Sequence, residues 1–144
     1  MFLGEYRHSL DAKGRVILPA RFREELAEGA YMAKAMTDPC LFVYTRDEFE
    51  EVARTTRQQM REGSRAAQEA ARSFFAGATD VEPDKQGRVA IPAHLRSFAH
   101  LDKEVVVAGV FARIEIWDAE RWDEREARAE AASASADDLQ GFAQ

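Results

Sequence analysis

One stretch of thirteen residues occurs twice in this chain. Asp11 to Arg23, DAKGRVILPARFR, returns at Asp84 to Arg96 as DKQGRVAIPAHLR, 73 positions later in a chain of 144 residues. Seven of the thirteen positions are identical: the Asp, the Gly, an Arg, the Val, the Pro, an Ala and the final Arg. An offset of about half the chain means one structural unit written twice in tandem. The likeness runs on at the same offset, pairing Phe2-Leu3-Gly4 with Phe75-Ala76-Gly77, Leu41-Phe42-Val43-Tyr44 with Ile114-Glu115-Ile116-Trp117, and Phe49 with Trp122. No insertion separates these landmarks, so the two halves are expected to share one fold. Two copies are too few for a solenoid, which needs three or more units. A closed pseudo-symmetric pair is the expected arrangement.

Local chemistry fills in each half. Glu5 to Leu10 and Arg15 to Leu18 read as short strands around the turn Asp11-Ala12-Lys13-Gly14. Gly14 supplies the positive φ of a tight reversal, and the Asp11 carboxylate can accept bonds from the turn's backbone. Pro19 suits the first position of a helix, where its missing N–H costs nothing, and Phe22 with Leu26 gives that helix one apolar face. Tyr31 to Met36 and Leu41 to Tyr44 make a second strand pair across Asp38-Pro39. Thr45-Arg46-Asp47-Glu48 fits a capping box opening a helix that runs on towards Met60. Gly63-Ser64 breaks that helix, and Ser64 can cap another through Phe74. The second half repeats the plan: strands flank the turn from Asp84 to Gly87, Pro92 opens a short helix, Val105 to Ala108 pairs with Arg113 to Trp117, and Asp118 caps a last helix.

Two strands and a short helix cannot close a core alone, and unpaired strand edges invite partners. The two halves solve this by interleaving their strands. The predicted fold is therefore α+β, a pseudo-symmetric β-barrel flanked by helices, with the two D-x-x-G-R turns close together. The first half occupies residues 5–47, a helical connector 48–75, the second half 76–119 and a C-terminal helix 120–130. Residues 131–144 are small and acidic with little to bury, and are expected to be disordered.

Charge then points at the turns. The chain carries a net charge of −6. The window from Arg7 to Arg23 holds Arg7, Lys13, Arg15, Arg21 and Arg23 against Asp11 alone, and that from Asp84 to Arg96 holds Lys85, Arg88 and Arg96 against Asp84. A local basic patch steers polyanions even on an acidic protein, because salt confines each field to about 8–10 Å. Arg15 and Arg88 each follow a turn glycine, so backbone geometry fixes where the guanidinium leaves the chain. A guanidinium so held can fork onto a guanine edge or a phosphate. Lys13 and Lys85 add point charge, while Asp11 and Asp84, with Gly14 and Gly87, support the turns.

The opening MFLGEYRHSLDAKGRVILPARFR, the later DKQGRVAIPAHLR and the intervening Phe74-Phe75 with Gly77 resemble the MraZ family over residues 1 to about 125. The resemblance implies two fused halves similar to the SpoVT–AbrB swapped-hairpin type. It also implies a cytoplasmic, nucleoid-associated transcriptional regulator that represses its own division and cell-wall gene cluster. Such proteins bind short G-rich direct repeats in promoter DNA and assemble into ring-shaped homo-oligomers. The family's paired motifs fall here on Asp11 with Arg15 and on Asp84 with Arg88. Lys85 and Gln86 stand where the first motif has Ala12 and Lys13, so the two loops need not contact DNA equally.

Other classes fit less well. Paired aspartates, one per half, are also the mark of the aspartic-protease dyad, but Ala12 and Lys85 follow them where that chemistry needs a small hydroxyl residue and glycine. His8, His94 and His100 show no metal-ligand spacing, and the loops carry one glycine, short of a phosphate-binding loop. No cofactor or small-molecule substrate is implied. Cys40 is alone, which excludes an internal disulfide. The chain has no apolar run near the roughly 20 residues of a membrane span, and its start lacks a secretory pattern. RNA binding lacks the interleaved aromatics that stack bases. A protein-interaction scaffold without DNA binding stays open as the alternative.

Overall fold

The computed structural model describes residues 1–134. The elements run β1 (Phe2–Ser9), β2 (Arg15–Ile17), α1 (Ala20–Glu25), β3 (Ala30–Lys34), β4 (Leu41–Thr45), α2 (Arg46–Glu62), α3 (Arg65–Gly77), β5 (Thr79–Val81), β6 (Arg88–Ala90), α4 (Ala93–Phe98), β7 (Glu104–Phe111), β8 (Arg113–Asp118) and α5 (Ala119–Ala134). The long helices start where a side chain caps them. Thr45 Oγ1 accepts from Glu48 N at 3.2 Å, Ser64 Oγ from Ala67 N at 3.3 Å, and Asp118 Oδ2 from Arg121 N at 3.2 Å. Helix α5 continues to Ala134, four residues beyond the predicted end, and residues 135–144 of the expected disordered tail lie outside the described residues.

The strands do interleave, although not as hairpins around the turns. Strand β1 pairs with β7 and β5 with β3, so each half's first strand lies in the other half's sheet. The six-stranded antiparallel sheet has the order β1-β7-β8-β4-β3-β5, while β2 and β6 pair separately as a two-stranded ribbon. Exchanging the halves reverses that order onto itself, so the pseudo-twofold axis passes between β8 and β4 and through the pair Val16↔Val89. The predicted closed barrel is not what forms. Pro19 and Pro92 stop β2 and β6 after three residues, too short to bridge the sheet's two edges. The ribbon lies instead across one face of an open sheet.

Three layers result. The ribbon's Val16, Leu18, Val89 and Ile91 are buried with Phe22, Leu26 and Leu95 from the short helices, against Met32, Val43, Val107 and Ile116 of the sheet. Each such side chain stabilises by about 1.5–3 kcal/mol, so the ribbon is a platform fixed to the core. On the opposite face, Phe74 of α3 and Phe49 of α2 pack against Ala33 and Tyr44 of the sheet, and α5 covers Val106, Ala108, Cys40 and Trp117 with Trp122. Burial there pushes the Cys40 thiol up, which suits a small apolar filler. Glu115, 8% exposed, accepts from Arg113 at 2.7 Å and from Trp117 Nε1 at 2.9 Å, so its buried charge is partnered.

The duplication is less literal than the sequence offset. At a shift of 73, Thr45 corresponds to Asp118 and Ala30 to Lys103, yet Ala30 faces Thr45 while Val105 faces Asp118. The second half holds two more residues before β7 and two fewer in the following hairpin, which closes at Val110↔Arg113 instead of Lys34↔Leu41. The paired triplets also diverge, since Phe2-Leu3-Gly4 is strand and Phe75-Ala76-Gly77 ends α3. The helical connector consumes residues that the first half spends on a long β1, leaving β5 with three.

Candidate nucleic-acid interface

Both D-x-x-G-R turns fold the same way, bond for bond. In the first, Gly14 N donates to Asp11 O at 3.0 Å and Asp11 N to Arg15 O at 3.0 Å. Asp11 Oδ1 accepts from Lys13 N and Arg15 N, each at 2.9 Å, and Oδ2 from Arg15 Nε at 2.6 Å. In the second, Asp84 Oδ1 accepts from Gln86 N and Arg88 N at 2.9 Å, and Oδ2 from Arg88 Nε at 2.9 Å. One carboxylate thus closes the turn with one oxygen and orients the arginine with the other. Only Nε is used in each case, so the two terminal amino groups of Arg15 and Arg88 have no hydrogen-bond partner among the described residues. The glycines take φ of +76° at Gly14 and +82° at Gly87, a region that costs other residues about 1–2 kcal/mol.

The ribbon joins the two turns. Leu18 N donates to Gly87 O and Ile91 N to Gly14 O, both at 3.0 Å. Strand alternation turns Val16 and Val89 inward, and therefore turns Arg15, Ile17, Arg88 and Ala90 outward. The register sets Arg15 opposite Ala90 and Ile17 opposite Arg88, which places the two guanidinium side chains on one diagonal of the exposed face, a spacing of about 7–8 Å between backbones.

Carboxylate electrostatics fit this frame. The backbone N–H of Arg15, then its side chain, hold the Asp11 carboxyl below the ordinary value of 3.8, and Arg88 does the same for Asp84. A depressed carboxylate contributes stability that is present above the ordinary value and lost as pH falls through the lower folded one. The stability difference between wild type and Asp11→Asn is therefore expected to stay constant from pH 7 to about 5 and to close below 3.8. Thermal melts across that range check it.

The other predicted cations divide. Lys13 and Lys85 are exposed in the turns, and Arg21 is exposed in the first turn of α1. None of these three side chains has an ion-pair partner among the described residues. At the position matching Arg21, His94 Nε2 lies 3.1 Å from Gly77 O. Arg7 is committed elsewhere: it pairs with Asp123 of α5 at 2.6 Å and Glu5 at 3.4 Å, and this partner lowers the Asp123 carboxyl. The final arginines of the two motifs work inside the molecule. Arg23 Nε donates to Leu18 O at 3.1 Å, and Arg96 Nη1 donates to Ile91 O. Each guanidinium also lies over the opposite half's turn glycine, so a methyl group at Gly87 would come within 2.7 Å of Arg23 and one at Gly14 would overlap Arg96. In the sequence Arg23 and Arg96 stand out only as charge. Their identity in both copies, beside an identical glycine, is the signal that marks them as more. Next to the second turn, a groove of about 520 Å³ is lined by Asp80, Glu82 and Asp84 as well as Arg23, so the surroundings of the two turns differ.

Among the described residues no group of three or more His, Cys, Asp or Glu is placed to hold a metal ion, and no helix is long and apolar enough to cross a membrane. Fold and site together define a tandem-duplicated α+β protein whose halves exchange strands to present one arginine-bearing ribbon. The profile of the family described as "MraZ protein, putative antitoxin-like" matches residues 1–71 and again 74–143. The chain is 49% identical over 133 residues to a protein of Desulforamulus reducens, covering 91% of each. It is 50% identical over 123 residues to one of Carboxydothermus hydrogenoformans, covering 85% of each, and 46% identical over 147 residues to one of Paenarthrobacter aurescens, covering 99% of each. All three relatives are named transcriptional regulator MraZ. The chain belongs to the MraZ family.

Proposed function

We propose that this protein is a sequence-specific DNA-binding transcriptional regulator that lays the β2–β6 ribbon into the major groove. The observation that carries the reading is the pair of guanidinium groups on one exposed ribbon face, each held at Nε by its own carboxylate with the terminal amino groups open. A major groove about 12 Å wide admits a two-stranded ribbon, and an arginine fork onto guanine is the commonest specific contact there. Lys13, Lys85 and Arg21 supply phosphate contacts around that face. The pairing of β1 with β7 and of β5 with β3 supports treating each half as a swapped-hairpin unit of the SpoVT–AbrB type.

The target is short G-rich direct repeats in the protein's own promoter, and the outcome is repression of the division and cell-wall genes downstream, in the cytoplasm at the nucleoid. One ribbon offers two guanidiniums and a few phosphate contacts, so a single copy binds weakly. Copies arranged as a ring on consecutive repeats gain through effective concentration.

Binding to the upstream DNA is measured across a salt series. Neutralising about four to six phosphates gives a slope of log affinity against log salt of roughly −4 to −5 per copy. Absence of binding at low salt contradicts the reading and favours an interaction scaffold.

A further inference from the structure

Ile17 has no role in the core. It is 46% exposed, on the outer face of a ribbon whose inward residues Val16 and Val89 are 1% and 0% exposed. The register sets it directly opposite Arg88, where side chains stand about 4.5–5.5 Å apart at Cβ. At the pseudo-symmetric place beside Arg15 stands Ala90, a single methyl. So the exposed face carries two guanidiniums on one diagonal, and a long and a short apolar group on the other.

We infer that Ile17 is a specificity-determining residue that packs on the 5-methyl group of a thymine next to the base pair engaged by Arg88. The inference rests on the ribbon entering the major groove. There the thymine methyl is the apolar feature of the base-pair edges, and apolar side chains contact it. Ala90 has three carbons fewer and leaves the matching step beside Arg15 unread. The ribbon is thereby polar: a nearly twofold platform reads guanine at both ends and a thymine methyl at one, which fixes the direction in which each copy lies along the duplex.

The test uses the full chain and its footprinted repeat, with each thymine replaced in turn by deoxyuridine, which lacks only the methyl. For wild type, one replacement weakens binding about four-fold, the factor that burial of a methyl-sized group supplies. Ile17→Ala binds the thymine duplex as weakly as wild type binds that deoxyuridine duplex, and is indifferent to the replacement. On a repeat that carries thymine at the step beside Arg15, Ala90→Ile acquires a second sensitive thymine, which keeps the test decisive even where Ile17→Ala folds poorly. A wild type indifferent to every replacement, while Arg15→Ala still loses the repeat, overturns the role of Ile17 and leaves the ribbon reading standing. Binding independent of both Arg15 and Arg88 overturns both.

Discussion

Arg15→Ala is expected to abolish specific binding to the protein's upstream DNA while leaving its melting curve and its assembly state close to those of wild type. The Asp11–Arg15 pair is partly exposed, and such pairs add little to folding. The turn keeps its backbone bonds and those from Lys13 N and Arg15 N to the carboxylate, because none needs the guanidinium. On the proposed ribbon reading the variant loses one forked contact per copy, a penalty of about 1–3 kcal/mol, or roughly 5- to 150-fold. On a run of repeats that loss recurs at every copy and multiplies. Arg88→Ala is expected to weaken specific binding in the same way from the other end of the ribbon. Anisotropy titrations of specific and scrambled duplexes read the effect. Specific binding by Arg15→Ala equal to wild type would remove Arg15 from the site.

Gly14→Ala is expected to destabilise the fold and to disable the ribbon at the same time. Its backbone sits at φ +76°, and an alanine held in such a strained region costs about 1–3 kcal/mol. The added methyl overlaps the Arg96 guanidinium, which must leave its bond to Ile91 O. Melting shifts by about 2–4 °C per kcal/mol for a chain of this size. Gly87→Ala repeats the effect against Arg23. Arg96→Ala in the Gly14→Ala background relieves the overlap but not the backbone strain, so the double variant is expected to recover part of the lost melting temperature. No recovery would mean that Arg96 does not lock the turn.

Much of the molecule is legible in the sequence because its causes are local. A turn with Asp at the start and Gly at the fourth place closes through bonds among five residues, and both copies do. Helix starts at Thr45, Ser64 and Asp118 follow from one side chain each. Strand partners are another matter, since an alternating segment such as β1 pairs as well with β7 as with a neighbour, and only the shared core decides. The expected closure fails for a related reason: Pro19 and Pro92 read as helix openers, but they also cut β2 and β6 short. The two-residue slip between halves cancels at the landmarks, so an offset of 73 hides it. At the site, a cation on the surface and one bonded to a carbonyl look alike in sequence, which is why Arg23 and Arg96 count there as patch and why Arg7 shows no sign of its partner Asp123. Ile17 gives no signal of its own, because its neighbours Val16 and Leu18 are core.

Hydroxyl-radical footprinting of the upstream region with wild type and the Arg15→Ala, Arg88→Ala double variant tests the ribbon reading most directly. Wild type is expected to protect evenly spaced short repeats, with protection lost across all of them in the double variant at equal folded concentration. Uniform or absent protection by wild type at low salt, or repeats protected equally by the double variant, would contradict it.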